Sequence, residues 1–313
     1  MSGFGHKDDS SPVKKTNTDD AQSMLQMAIA AYESGQLKKA QELCVEVVKG
    51  SPRDSFALGL LASIEKQLGN RTSASELFEA SLRLNPDNAN FHHNYAGLLI
   101  DQDLNKAHYH SSRAISLLPN QAIYLERLGY IQWQKGDLGK ALESNHRAIE
   151  LNPKLSDTYM NLGGIYQELG DLDQALEATH KSLELNADNA YALMNLGIIF
   201  KQLGSLNNAL DATIKSLKLK ADNADAYMNL GSIFQELGHL DEALDATLKS
   251  LDLKADNADA YINLGSIFQE LGYLDQALDA TLKSLELQPD NRDAVYQKGV
   301  ILYVLNRFGE ALH

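Results

Sequence analysis

The chain has 313 residues, 44% of them hydrophobic, and a formal net charge of −14. That charge, without any block of clustered Lys and Arg, argues against a nucleic-acid partner, because phosphate-backbone binding rests on cations that release counterions. A single cysteine, Cys44, excludes an internal disulfide framework, and no apolar run approaches the ~18 residues a membrane-spanning helix needs.

Residues 1–20 are polar and lack any apolar period, so they read as a disordered tail with Asp19 and Asp20 as caps for the helix that follows. No charged-then-apolar leader pattern is seen there, and the cytoplasm is the default location. From Ala21 onward the chain reads as pairs of helical runs with a period of 34 residues. The first pair spans Ala21–Asp54, with Gly35, Ala40 and Pro52 as markers, and places Cys44 on an apolar helix face, a packing position. The second spans Ser55–Asn88, with Gly69, Ala74 and Pro86. The third, Ala89–Gln121, is one residue short and lacks a glycine between its helices, so a tightened turn is expected at Gln102–Asp103. The fourth, Ala122–Leu155, carries Gly129, Trp133, Gly136 and Pro153; the fifth and sixth run to Asn189 and Asn223.

The seventh and eighth, Ala224–Asn257 and Ala258–Asn291, differ at only six positions and show the unit most clearly. Tyr227, Leu230, Phe234 and Leu237 fall on one stripe of a helix. Asn223 or Asp225 caps its start, and Gly238 ends it. Leu240, Leu244, Leu248, Leu251 and Leu253 mark the second helix. Gly231 inside the first helix costs ~1 kcal/mol against alanine, a cost that makes sense where another backbone crosses, with Ala243 as its small counterpart. Proline follows the second helix in five repeats, while Ala187, Ala221 and Ala255 replace it in the others, where slightly longer helices are expected.

Residues 292–313 begin a ninth repeat, with Gly299 and Ala311 at marker positions, and break off at the start of its second helix. The run Val300–Leu305, with Phe308 after it, leaves an apolar helix where an end cap should be polar. Three readings stand open: a longer chain continues it, a partner or a second copy covers helix 292–308 by self-association, or the natural end frays.

The period, with its Tyr-Leu-Gly-aromatic series and its alanine in the second helix, resembles the tetratricopeptide repeat. The resemblance implies an all-α fold: a right-handed α-solenoid of stacked antiparallel helix pairs around a concave groove. The division is then a tail at 1–20, eight repeats at 21–291 and a partial repeat at 292–313.

No phosphate loop, nucleophile elbow, metalloprotease motif or cysteine cluster occurs, so no catalytic residue and no cofactor are expected. His92, His93, His108 and His110 share one repeat, but neighbours along a helix point apart, and convergence is open only across the helix pair. No metal site is assigned. The stronger signal is a row of amides at position 6: Asn94, Asn161, Asn195, Asn229 and Asn263, with Arg127 in the same register. The family resemblance puts this position on the concave groove, and the array resembles the repeat arm of protein O-linked N-acetylglucosamine transferases. A carboxamide both donates and accepts, so a ladder of them can pair with the main chain of an extended peptide. Met160, Met194 and Met228, at position 5, add adaptable apolar contacts. Acidic residues at positions 2 and 13, among them Asp225, Asp259, Glu236 and Glu270, edge this floor. The reading is a protein-interaction scaffold that binds a partner's peptide segment. The alternative is the substrate-recruiting arm of a larger glycosyl-, sulfo- or methyltransferase whose catalytic domain lies beyond residue 313.

Overall fold

A computed structural model describes residues 16–305, and every regular element among them is an α-helix. The chain divides into two compact units between Leu151 and Asn152. The first contains the pairs α1 (Thr16–Glu33) and α2 (Leu37–Gly50), α3 (Ser55–Gln67) and α4 (Arg71–Leu84), α5 (Ala89–Leu99) and α6 (Leu104–Leu117), and α7 (Ala122–Gln134) and α8 (Leu138–Leu151). The second contains α9 (Ser156–Glu168) and α10 (Leu172–Leu185), α11 (Ala190–Gln202) and α12 (Leu206–Leu219), α13 (Ala224–Glu236) and α14 (Leu240–Leu253), and α15 (Ala258–Glu270) and α16 (Leu274–Leu287), then α17 (Arg292–Val304).

Within each unit the first helix of a pair packs on its own second helix and on the first helix of the next pair, as α3 does on α4 and α5, and α13 on α14 and α15. This is an all-α solenoid, and the first helices form a layer of their own. The helix expected from Ala21 already begins at Thr16, so Asp19 and Asp20 lie inside it and do not cap it. The rest of the expected tail, and Phe308 and Ala311, fall outside the described residues.

The core runs through position 10 of the first helices. Ile64, Ile131, Ile165, Ile199, Ile233, Ile267 and Ile301 are all fully buried, each contributing ~1.5–3 kcal/mol. The stripe read from the sequence was displaced from this line: Tyr227 and Phe234 are only half-buried, while Ala226 and Ile233 are sealed. On α14, Leu248 and Leu253 are partly exposed, at 43% and 38%, and the buried face is Ala243, Ala246, Thr247, Ser250 and Leu251. Close approach explains this choice of small residues. A methyl group at Gly231 would overlap Thr247 Oγ1 and lie 3.1 Å from the Ala243 carbonyl oxygen. The hydroxyl that enters the interface is satisfied within its own helix, donating to the Ala243 oxygen at 2.8 Å. Gly163 meets Thr179, and Gly197 meets Thr213, in the same way.

Asn223 caps α13, accepting a hydrogen bond from the Ala226 amide, and Asp225 lies within the first turn. Gly238 closes the helix with φ of 78°, a conformation that suits glycine. The third repeat has no such glycine, and its turn closes over four residues where Asn70, Asp137 and Asp171 each reach back five. There α5 stops two residues earlier than its counterparts, the Asp103 amide donates back to the Leu99 oxygen at 2.8 Å, and the Asp103 carboxylate accepts from the Asn105 and Lys106 amides to start α6. The expected lengthening of proline-free second helices is also corrected. The helices α10, α12 and α14 span 14 residues, as do α8 and α16. The stop comes from the extended backbone at Asn186, Lys220 and Lys254, which leads into the next asparagine cap whether or not proline follows.

Candidate protein-interaction face

The amide row lies on the first helices, but not as an open ladder. Asn161, Asn195 and Asn229 are only 2%, 7% and 6% exposed. Asn195 Nδ2 donates to the Met160 carbonyl oxygen of the preceding repeat at 3.2 Å. Asn229 Nδ2 donates at 3.1 Å to Thr213 Oγ1, which itself donates to the Ala209 oxygen. Gln297, in the same register, does both: its Nε2 reaches the Ile262 oxygen and its Oε1 accepts from Thr281. Asn161 keeps one buried acceptor, Oδ1, without a partner among the described residues. The expectation of an amide wall open to an outside chain is therefore corrected at these three positions. Asn195 and Asn229 turn back onto the carbonyl or hydroxyl offered by the preceding repeat, where pairing avoids the cost of a buried unsatisfied group. Asn94 is half-buried and also reaches back, to Ser63 Oγ at 3.2 Å; Asn263 is half-buried.

What the second unit does present is a neighbouring row. Met160, Met194, Met228 and Ile262 are half-buried at position 5, one per repeat. The cap amides Asn223 and Asn257 hold the sulfurs of Met194 and Met228 at 3.6 and 3.8 Å. Asp157, Asp225 and Asp259 are exposed beside them, as are Glu236 and Glu270. Between these lines runs a series that the sequence reading did not pick out. Lys201 Nζ donates to Ser232 Oγ and Gln235 Nε2 to Ser266 Oγ, both at 2.8 Å, linking position 12 of one repeat to position 9 of the next. Lys201 also lies 3.7 Å from Glu236.

The first unit has a different character on its first helices. Lys66 Nζ donates to the Asn94 carbonyl oxygen at 3.3 Å. Burial, then the charges of Arg127 and Arg71, push Lys66 down to about 8. Burial lowers half-buried Arg127 as well, with Glu126 opposing the shift. His93, stacked on the Tyr124 ring, is pushed down to about 3 by burial and by Arg127 and Lys66. On the far side of α5, His92 and His110 meet across the helix pair, their Nδ1 atoms 2.8 Å apart, while His92 Nε2 faces the Pro86 oxygen. Among the described residues, no group of three or more His, Cys, Asp or Glu is placed to hold a metal. Cys44 is buried, and burial followed by Asp54 pushes its thiol up to about 12, as suits a packing residue. No helix among the described residues is long and apolar enough to cross a membrane.

Comparison with known proteins bears on the architecture. No curated protein matches the sequence. Among solved structures, the hetero-tetramer Cut9-Hcn1 of the APC/C matches with a TM-score of 0.73 at 16% identity, over 92% of this chain and 57% of that one. The chain thus spans less than two thirds of that relative's length, and the likeness is one of fold. YrrB, described as a TPR protein with an unusual peptide-binding site, matches with a TM-score of 0.43 at 23% identity, over 60% of this chain and 97% of that one. MamA matches with a TM-score of 0.43 at 29% identity, over 50% and 86%. Two family models, both described as Tetratricopeptide repeat, match residues 156–189 in one case and 57–88, 122–155, 224–257 and 258–291 in the other. Those stretches make up more than half of the sequence, in phase with the helix pairs and their glycine-closed turns, and the chain belongs to the tetratricopeptide repeat family.

Proposed function

We propose that the chain is a protein-interaction scaffold that takes an extended segment of a partner protein along the first-helix face of its second unit. One observation carries the reading: an apolar row of Met160, Met194, Met228 and Ile262 advances one residue per repeat beside exposed carboxylates. Methionine adapts its shape to different side chains, and the carboxylates favour a segment with basic or hydroxyl-bearing residues. Asn263, and Asn94 and Arg127 in the first unit, are the members of the position-6 row left partly open to such a segment. Asn195 and Asn229 serve it indirectly, by fixing the spacing of the row.

The test is selection from a library of extended peptides on the full chain, followed by calorimetry. Replacing Met160, Met194 and Met228 together by Ser removes ~1 kcal/mol of apolar contact per site. Binding of the selected peptides should weaken by ~100-fold, with helicity unchanged. Peptides that bind the triple variant equally well would refute the face.

A further inference from the structure

The first unit brings two cations onto a single glycine. A methyl group at Gly97 would overlap Arg127 Nη1 and lie 3.0 Å from Lys66 Nζ. The two cationic groups, from α3 and α7, therefore crowd the same point on α5, within about 6 Å of each other, where like charges repel. The third cation nearby, Arg71, is already engaged by the Leu98 oxygen at 2.8 Å and by Asp101 at 3.1 Å. Beside the pair lies His93, 8% exposed, whose Nδ1 is buried without a hydrogen-bond partner among the described residues. The charges acting on it are those of Arg127 and Lys66, both positive. Three helices thus contribute donors to one place, where the carboxylate of Glu126 acts on Arg127 and offsets part of the positive charge.

We propose that Lys66 and Arg127, over Gly97 and beside His93, form a site for a phosphoryl group carried by a partner protein. A phosphoryl group brings three acceptor oxygens, enough to meet the guanidinium and the ammonium together, and its negative charge offsets what Glu126 leaves uncompensated. A guanidinium offers parallel donors to such a group, and an ammonium adds a point charge. Gly97 matters because any side chain there would displace the Arg127 guanidinium. The proposal rests on the reading of the first-helix layer as the partner-binding face and adds a ligand chemistry to it.

The probe is inorganic phosphate, with acetate at matched ionic strength as the carboxylate arm, titrated into the isotope-labelled full chain at pH 7.5. The Gly97 and Asn94 amide resonances should shift saturably with phosphate, with at least tenfold weaker affinity for acetate. The Lys66 ammonium should titrate at higher pH when phosphate is bound. The amide shifts should vanish in Lys66→Met, and both responses in Arg127→Gln. Lys66 is not sealed in the core, so its variant keeps the test usable if Arg127→Gln misfolds, and the Lys66 titration needs no variant. An absent saturable shift, an equal response to acetate, or a response that survives both substitutions overturns the proposal. Free phosphate reports on this group alone, so failure here and failure of the peptide selection are separate results.

Discussion

The helix crossing at Gly231 yields a prediction with a definite sign. Alanine there gains ~1 kcal/mol of helix propensity. Its methyl group would overlap Thr247 Oγ1 and approach the Ala243 oxygen to 3.1 Å, and overpacking of this kind costs ~1–3 kcal/mol. Gly231→Ala should therefore be neutral to destabilising by ~2 kcal/mol. Gly299 supplies the control: it is also inside a helix, α17, and a methyl there meets nothing within 4 Å among the described residues. Gly299→Ala should stabilise its helix by up to ~1 kcal/mol. Thr247→Ala removes the overlapped hydroxyl, so the double variant Gly231→Ala/Thr247→Ala should be less destabilised than the two single effects together. Because a repeat array does not unfold as one block, urea unfolding should be read alongside amide exchange in α13, α14 and α17. If Gly231→Ala protects α13 as much as Gly299→Ala protects α17, the close crossing is wrong.

Two further outcomes follow from the buried polar groups. Asn229→Ala should cost ~1 kcal/mol and speed amide exchange at the junction of α12 and α13, because it strips a partner from buried Thr213; unchanged exchange would mean the amide does not fasten the repeats. His93 and His110 are held at about 3 and about 4, below the ordinary value of 6.5, so their contribution to stability is full above pH 6.5 and is lost as pH falls toward those values. The first unit should lose ~1.4 kcal/mol per pH unit for each group over that window, and melting at pH 7.5 and pH 5 should show the loss shrink in His93→Gln.

Much of the architecture could be read directly because it depends on local rules repeated at a fixed interval. Gly238 at a helix end and Asn223 before a helix start each specify their own backbone geometry. Gly231 in mid-helix announced a close neighbour, and the neighbour is there. The amide row was legible as a row but not in its orientation. Helix periodicity says that Asn229 lies off the apolar stripe; it does not say that Thr213, on another helix of another repeat, presents a hydroxyl to it. The signal was available in the second helices, where threonine recurs at Thr179, Thr213, Thr247 and Thr281 on a buried face and must find partners. Arg127 was legible as a member of the position-6 row, but its meeting with Lys66 was not, for a related reason: the two belong to repeats that are not adjacent, and only stacking brings them to Gly97.

The backward-reaching amides give the array a direction. At Asn195, Asn229 and Gln297 the later module holds the clip and the earlier one the socket, in a hydroxyl or a main-chain oxygen. Any module that carries both can be copied or excised whole without leaving a mismatched joint. The near-twin units at 224–257 and 258–291 fit an array whose length can change in single steps, with one chemistry recurring at the seams of Asn195, Asn229 and Gln297.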